Sequence, residues 1–435
     1  MRPLNILYII SFIWPALVGA QDSIAVRSAN ALAFIDETSW QYYNTAQWSR
    51  LITFSDSTIK AGVDFYYLRV RYGVACFEQE KYRDAAKQFE IAYQQDPTDE
   101  FTLEYLYYSL LYSERFTEAR RLTCSMSNTL LERLNVKSKF DVDLVNMTAG
   151  IKHTDSTAFQ NPHYSEILLT HFAGRRLLLT HALNTYQQTE NRFSVDQYQY
   201  YLKASLAHKK GFILQAGVHG WVAKADIWSA EKTIVTSTFV ISANNSGQGA
   251  QTGTISSQVY TLTQVPKRLY GLAGALNLGK QYRLFSWNTG LGIMDMDTAF
   301  QYQGSLSLQL YPLRNNKLVV GATGYLHNVN GRHHINQAWS AFVSYYPCNR
   351  FTLYGNVFFN NGPNITESIA GYVANSIDFT RMRSALVLAG GLTQNLWINA
   401  TLGLEQKHHF TSDYKYMYKV FSIGLRYYPR LKSQP

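Results

Sequence analysis

Two different rhythms of apolar and polar residues run along the chain. From Gln21 to about His163 the apolar positions recur at helical spacing, and from about Arg175 to Tyr428 they alternate with polar ones. The clearest alternation covers 300–310: Phe300, Tyr302, Gly304, Leu306, Leu308 and Leu310 form one face, and Gln301, Gln303, Ser305, Ser307 and Gln309 the other. A period of two sustained over such a length suits a strand crossing a bilayer at a tilt. Leu396, Ile398, Ala400, Leu402 and Leu404 repeat it against Trp397, Asn399, Thr401, Gly403 and Glu405. Strands of soluble sheets average only about 5–6 residues, and these are roughly twice as long. Twelve such segments fit between 175–187 and 414–428, which predicts an antiparallel transmembrane β-barrel of about 12 strands over 164–435. Gln303, Ser305, Ser307, Gln309, Asn399 and Glu405 are then expected to face the lumen. Short connections such as Lys209-Lys210-Gly211 alternate with long ones at 226–266 and 361–379. An even strand count places both chain ends on the short-turn side.

The helical part, 21–163, carries a repeat. In Tyr67–Pro97 the small and bulky positions fall at Gly73, Tyr82, Ala85, Phe89, Ala92 and Pro97. This spacing resembles the tetratricopeptide (TPR) repeat, whose small residues let paired helices approach and whose proline ends the second helix. Leu103–Met126 offers a second unit without the proline, and Trp48–Gly62 a preceding helix to cap the stack. The expected fold is therefore multidomain α + β, a TPR-like α-solenoid followed by the barrel. Met1–Ala20 reads as a signal peptide: Arg2, an apolar run Leu4–Leu17, then Val18-Gly19-Ala20 before Gln21.

A signal, a TPR-like module and a C-terminal barrel, in that order, resemble Gram-negative outer-membrane proteins of the TPR-barrel type. The runs Phe65-Tyr-Tyr-Leu-Arg-Val-Arg-Tyr-Gly and Glu104-Tyr-Leu-Tyr-Tyr-Ser-Leu-Leu-Tyr-Ser-Glu-Arg are similar to an uncharacterised family of that layout. The YaiO family and the exopolysaccharide-export porins share the order of parts. The resemblance implies a barrel among outer-membrane lipid and lipopolysaccharide, with a periplasmic helical domain that binds a protein or glycan-assembly partner. The leading reading is a scaffold or adaptor at the outer membrane. The alternatives are a channel or export conduit for a small solute or polysaccharide, and a membrane-embedded hydrolase.

Composition sharpens this picture. Of 435 residues only 16% are charged, while aromatics reach 14% with 32 Tyr, against a usual charged share of about 25%. A soluble cytosolic enzyme and a disulfide scaffold fit poorly, since the three cysteines, Cys76, Cys124 and Cys348, are few and scattered. The net charge of +10 divides unevenly, the helical part being acidic and the barrel strongly basic. The basic residues are dispersed over turns, which argues against nucleic acid. Lys209, Lys210, Lys280, Arg314, Lys317 and Arg350 form an expected periplasmic basic rim, with Asp96, Asp99, Glu100 and Glu104 as the acidic surface to dock on it. His333-His334, His408-His409 and the pair Asp295 and Asp297 supply too few converging donors for a metal. No catalytic, metal or cofactor residue is assigned.

Overall fold

A computed structural model describes residues 29–136, 140–154, 161–190, 193–208, 211–241, 251–296, 299–329, 335–348, 350–360, 365–367, 372–373, 379–408 and 414–429. The signal segment 1–20, Lys209, Lys210, Asp297, His333, His334 and His409 lie outside the described residues.

Seven helices come first: α1 (Ala29–Asn44), α2 (Trp48–Lys60), α3 (Tyr66–Glu78), α4 (Tyr82–Gln95), α5 (Glu100–Tyr112), α6 (Phe116–Leu122) and α7 (Asn128–Arg133). Three inter-helix turns are built alike. Ala46, Glu80 and Glu114, each 34 residues after the last, take left-handed φ values of 51°, 56° and 57°. In each, two successive amides reach back to the preceding helix: Glu80 to Phe77 and Lys81 to Cys76, then Glu114 to Leu111 and Arg115 to Leu110. An aromatic residue, Trp48, Tyr82 or Phe116, opens the next helix. Segment Trp48–Gly62 is thus the second helix of a hairpin with α1, and more than a cap.

Gly73 permits close packing of α3 on α4, because a Cβ there would lie 2.8 Å from the Phe89 ring. Ala85, Phe89 and Ala92 are fully buried in the same core, with Leu103, Leu106 and Leu110 continuing it. Tyr82 sets its ring edge-on to Phe77 at 5.3 Å, and Pro97 follows the end of α4. Asp99 caps α5 by accepting from the Thr102 amide, and Tyr66 donates to the same carboxylate at 2.6 Å. The helices do not continue as the TPR-like α-solenoid expected: α6 has only seven residues before a 3-10 turn at Thr123–Ser125. That early turn delivers Arg120 to the barrel.

The barrel has fourteen strands and not twelve: β1 (Phe140–Thr154), β2 (His163–Ala173), β3 (Leu177–Glu190), β4 (Phe193–Ala207), β5 (Phe212–Ile241), β6 (Gln251–Gln281), β7 (Phe285–Met296), β8 (Ala299–Leu310), β9 (Leu318–Val329), β10 (Ile335–Cys348), β11 (Phe351–Asn360), β12 (Phe379–Gly391), β13 (Leu396–His408) and β14 (Lys415–Tyr427). Each pairs antiparallel with its neighbours in sequence, and β1 closes on β14 with Ala149 opposite Ile423. The twelve strands expected are β3–β14. The two missed ones move the start of the barrel from 164 to Phe140. A bulge between Val142 and Leu144 flips the phase of β1, so its apolar residues alternate on no single face. On β2 the outward positions include His163, Ser165 and His171, while Leu168 and Phe172 point the other way, so the hydrophobic period disappears.

The span 226–266, expected as a loop, is mostly ladder. β5 and β6 remain paired from Phe212 opposite Lys280 to Ile241 opposite Gln251, well past the last β4 partner at Ile227. The hairpin therefore leaves the wall as a two-stranded ribbon. A shorter ribbon, Thr366–Glu367 with Tyr372–Val373, lies between β11 and β12.

Candidate functional site

Strand register divides the barrel residues into two faces. Leu276, Leu291, Leu306, Leu308 and Leu310 point outward and are 51–74% exposed, an apolar band of the kind a membrane-spanning barrel presents to lipid. The inward face is polar. Gln303, Ser305, Ser307 and Gln309 line a cavity of about 290 Å³ together with residues of β4 to β7 and β9, among them Lys203, Asn277 and Asn288. Asn277 donates to Asn288 at 2.8 Å, and Thr323 to Ser307 at 3.0 Å. Asn399 and Glu405 are also inward and buried, on the opposite side of the lumen from that cavity's lining strands.

Glu405 anchors a charged network that sequence patterning did not reveal. Lys152 of β1 donates to it at 2.6 Å and Lys407 lies 3.0 Å away, while Thr380 donates to its second oxygen. Arg383 stands opposite Glu405 in the ladder and covers the Phe358 ring at 5.4 Å. Phe358, Tyr325 and Ala338 enclose Ile365, so the β11–β12 connection sends an apolar side chain into the lumen. Trp221 also points inward, and Gly271 opposite it leaves the space its ring fills, since a Cβ there would sit 2.1 Å from the indole nitrogen.

At the short-turn end the helical segment lies across the barrel mouth. Arg83 of α4 is 3% exposed, with its guanidinium 3.2 Å over the Tyr311 ring. It donates to Ser113 O and Asn316 Oδ1 at 3.1 Å and to Tyr282 O at 3.2 Å. Asp84 pairs with Arg283 at 2.5 Å and Arg314 at 3.1 Å, and Glu80 pairs with Lys317. Across the mouth, Arg120 is buried, bonds Asp141 at 3.0 Å and donates to Gly174 O. The tips at β2–β3, β6–β7 and β8–β9 are therefore all tied to α4 or α6. The left-handed turn at Glu114 enters this joint: the residue keeps exposed surface, yet protein crowds around it, and that crowding raises its carboxyl pKa although Arg83 and Asn316 oppose the shift. Burial lowers the pKa of Arg83.

Of the expected basic rim, Arg314 and Lys317 reach the helices. Lys280 instead covers the Phe212 ring at 4.6 Å and Tyr282 at 5.4 Å, and the Arg350 carbonyl accepts from Gly391. The expected acidic surface is corrected outright. Asp96 bonds Thr98, Asp99 caps α5, Glu100 accepts from Ser127 and Glu104 pairs with Arg133, so all four serve the helices themselves. Glu80 and Asp84 dock instead, because they open the α4 turn that faces the barrel. Arg83, Arg120 and Lys152 went unnoticed in sequence, since single charges in amphipathic elements look like solvated ones. The three cysteines are unpaired, and burial pushes the Cys76 thiol up to about 12, as for a core residue.

No protein-family model matches the chain, and no curated protein does. Among solved structures it is similar to the CymD monoaromatic hydrocarbon channel, at 10% identity and a TM-score of 0.41, covering 68% of this chain and 90% of that one. A Pseudomonas aeruginosa FadL homologue aligns at 11% identity and 0.40, covering 68% and 91%. The KdgM porin aligns at 9% and 0.30, covering 65% and 98%.

Proposed function

We propose that the chain is an outer-membrane conduit for a small polar solute, closed at its periplasmic mouth by the docked helical segment. The observation that supports this is the polar cavity inside the wall, directly behind a mouth spanned by buried Arg83 and Arg120. A scaffold that used the barrel only as an anchor has no need of a polar chamber behind a cover. In this reading residues 1–20 export the chain, the apolar band meets outer-membrane lipid and lipopolysaccharide, and the short turns face the periplasm.

Conductance in planar bilayers tests it. The full chain should pass little current, and Arg83→Ala with Arg120→Ala should raise the open probability severalfold. Silence from both proteins, with the barrel verified as inserted, ends the conduit reading. The adaptor reading keeps one observation in its favour: the 34-residue spacing of Ala46, Glu80 and Glu114 matches the TPR period, and Tyr67 and Trp40 remain exposed around Arg71. Periplasmic cross-linking through Tyr67 to one defined protein would support partner binding by this face.

A further inference from the structure

We propose that the lumen cavity is a recognition site for a hydroxyl-rich solute bearing one oxyanion, with Lys203 as the anion anchor. This rests on the conduit reading and names its substrate class. The lining is mostly polar, with Ala275, Leu291 and Tyr325 as its apolar members. Gln215, Asn277, Asn288, Gln303 and Gln309 bring primary amides, which both donate and accept, and Ser305, Ser307 and Thr323 bring hydroxyls. Vicinal hydroxyls of a polyol need that mixture of donors and acceptors in a small space.

Lys203 is the only charged residue of the lining. Register places it inward on β4, opposite Thr180 of β3 and Gly217 of β5. Among the described residues it makes no ion pair and no hydrogen bond, although Lys152 and Lys407 in the same lumen share Glu405. An enclosed ammonium without a carboxylate is costly unless something supplies the counter-charge. Ser305, across the cavity, likewise spends its hydroxyl on no described side chain. The volume of about 290 Å³ is at the small end of ligand sites, right for one or two sugar-sized rings and too small for a folded partner. Gly290 and Gly292 keep its floor open, since a Cβ on Gly290 would meet Asn277 at 2.4 Å.

The test is titration calorimetry on the full chain in detergent, with glucuronate, glucose 6-phosphate and glucose as probes. Either charged probe should bind about tenfold tighter than glucose, one charge-assisted contact being the difference. Lys203→Gln should erase that preference, so that all three probes bind alike, Lys203→Arg should retain it, and Ser305→Ala should weaken all three probes alike. Whichever of glucuronate and glucose 6-phosphate binds tighter identifies the anion as carboxylate or phosphate. Equal binding of charged and neutral probes, or a preference that survives Lys203→Gln, overturns the assignment. Bilayer recordings on the uncovered chain, Arg83→Ala with Arg120→Ala, separate the two proposals: Lys203-dependent binding with that chain inserted and silent sinks the conduit and keeps the site, and conductance without such binding does the reverse.

Discussion

Arg83→Ala is the sharpest probe of the covered mouth. The substitution removes two charged hydrogen bonds that cross from helices to barrel, to Asn316 Oδ1 and Tyr282 O, and the stacking on Tyr311 at 3.2 Å. Hydrogen bonds to charged groups contribute about 1.5–3 kcal/mol each, and a desolvated cation–π contact about 2 kcal/mol. Against this stands the cost of burying a guanidinium that is 3% exposed, a cost also visible in its lowered pKa. The balance leaves about 2–4 kcal/mol for docking, or about thirtyfold to a thousandfold in the docking equilibrium. Hydrogen exchange read by mass spectrometry should show faster exchange in the first turn of α4, in α6 and in the 311–317 turn, with the α5 core around Leu106 unchanged. A double-mutant cycle with Asn316→Ala should return a coupling above about 0.5 kcal/mol, since neighbours sharing a bond are non-additive. Strict additivity, or exchange rates equal to the parent, would refute the claim that Arg83 holds the cover.

The remaining expectations concern the same joint and the barrel wall. Glu114 binds its proton more tightly in the docked state than in the free one, so its contribution favours docking at low pH and is lost as pH rises from about 4.5 through the raised value; open probability should climb over that window, and Glu114→Gln should flatten the climb. Leu306→Arg should cost about 2–4 kcal/mol of barrel stability and Ser307→Arg much less, measured by denaturant unfolding in liposomes; equal costs would contradict the register that places Leu306 outward and Ser307 in the cavity lining. Gly271→Ala should cost about 1–3 kcal/mol by crowding Trp221, with a shift in tryptophan emission, and an unchanged spectrum and midpoint would show that the indole lies elsewhere.

Sequence alone determined the elements whose period was clean. Twelve strands from β3 to β14, the inward set Gln303, Ser305, Ser307 and Gln309, and the core positions Gly73, Ala85, Phe89 and Ala92 follow from alternation and helical spacing, because burial on one face enforces those periods locally; that Gly73 meets the Phe89 ring itself was decided by the packing of α3 on α4. The structure decided what depends on neighbours distant in the chain. β1 and β2 were invisible because a bulge and outward histidines erase the hydrophobic period, and only closure against β14 makes them strands. The acidic partners of the rim are Glu80 and Asp84, since a charge count cannot say which helix turn faces the barrel. Lys203 and Ser305 share one cavity although a hundred residues separate them. Such proximity is a property of barrel register, which no local pattern encodes.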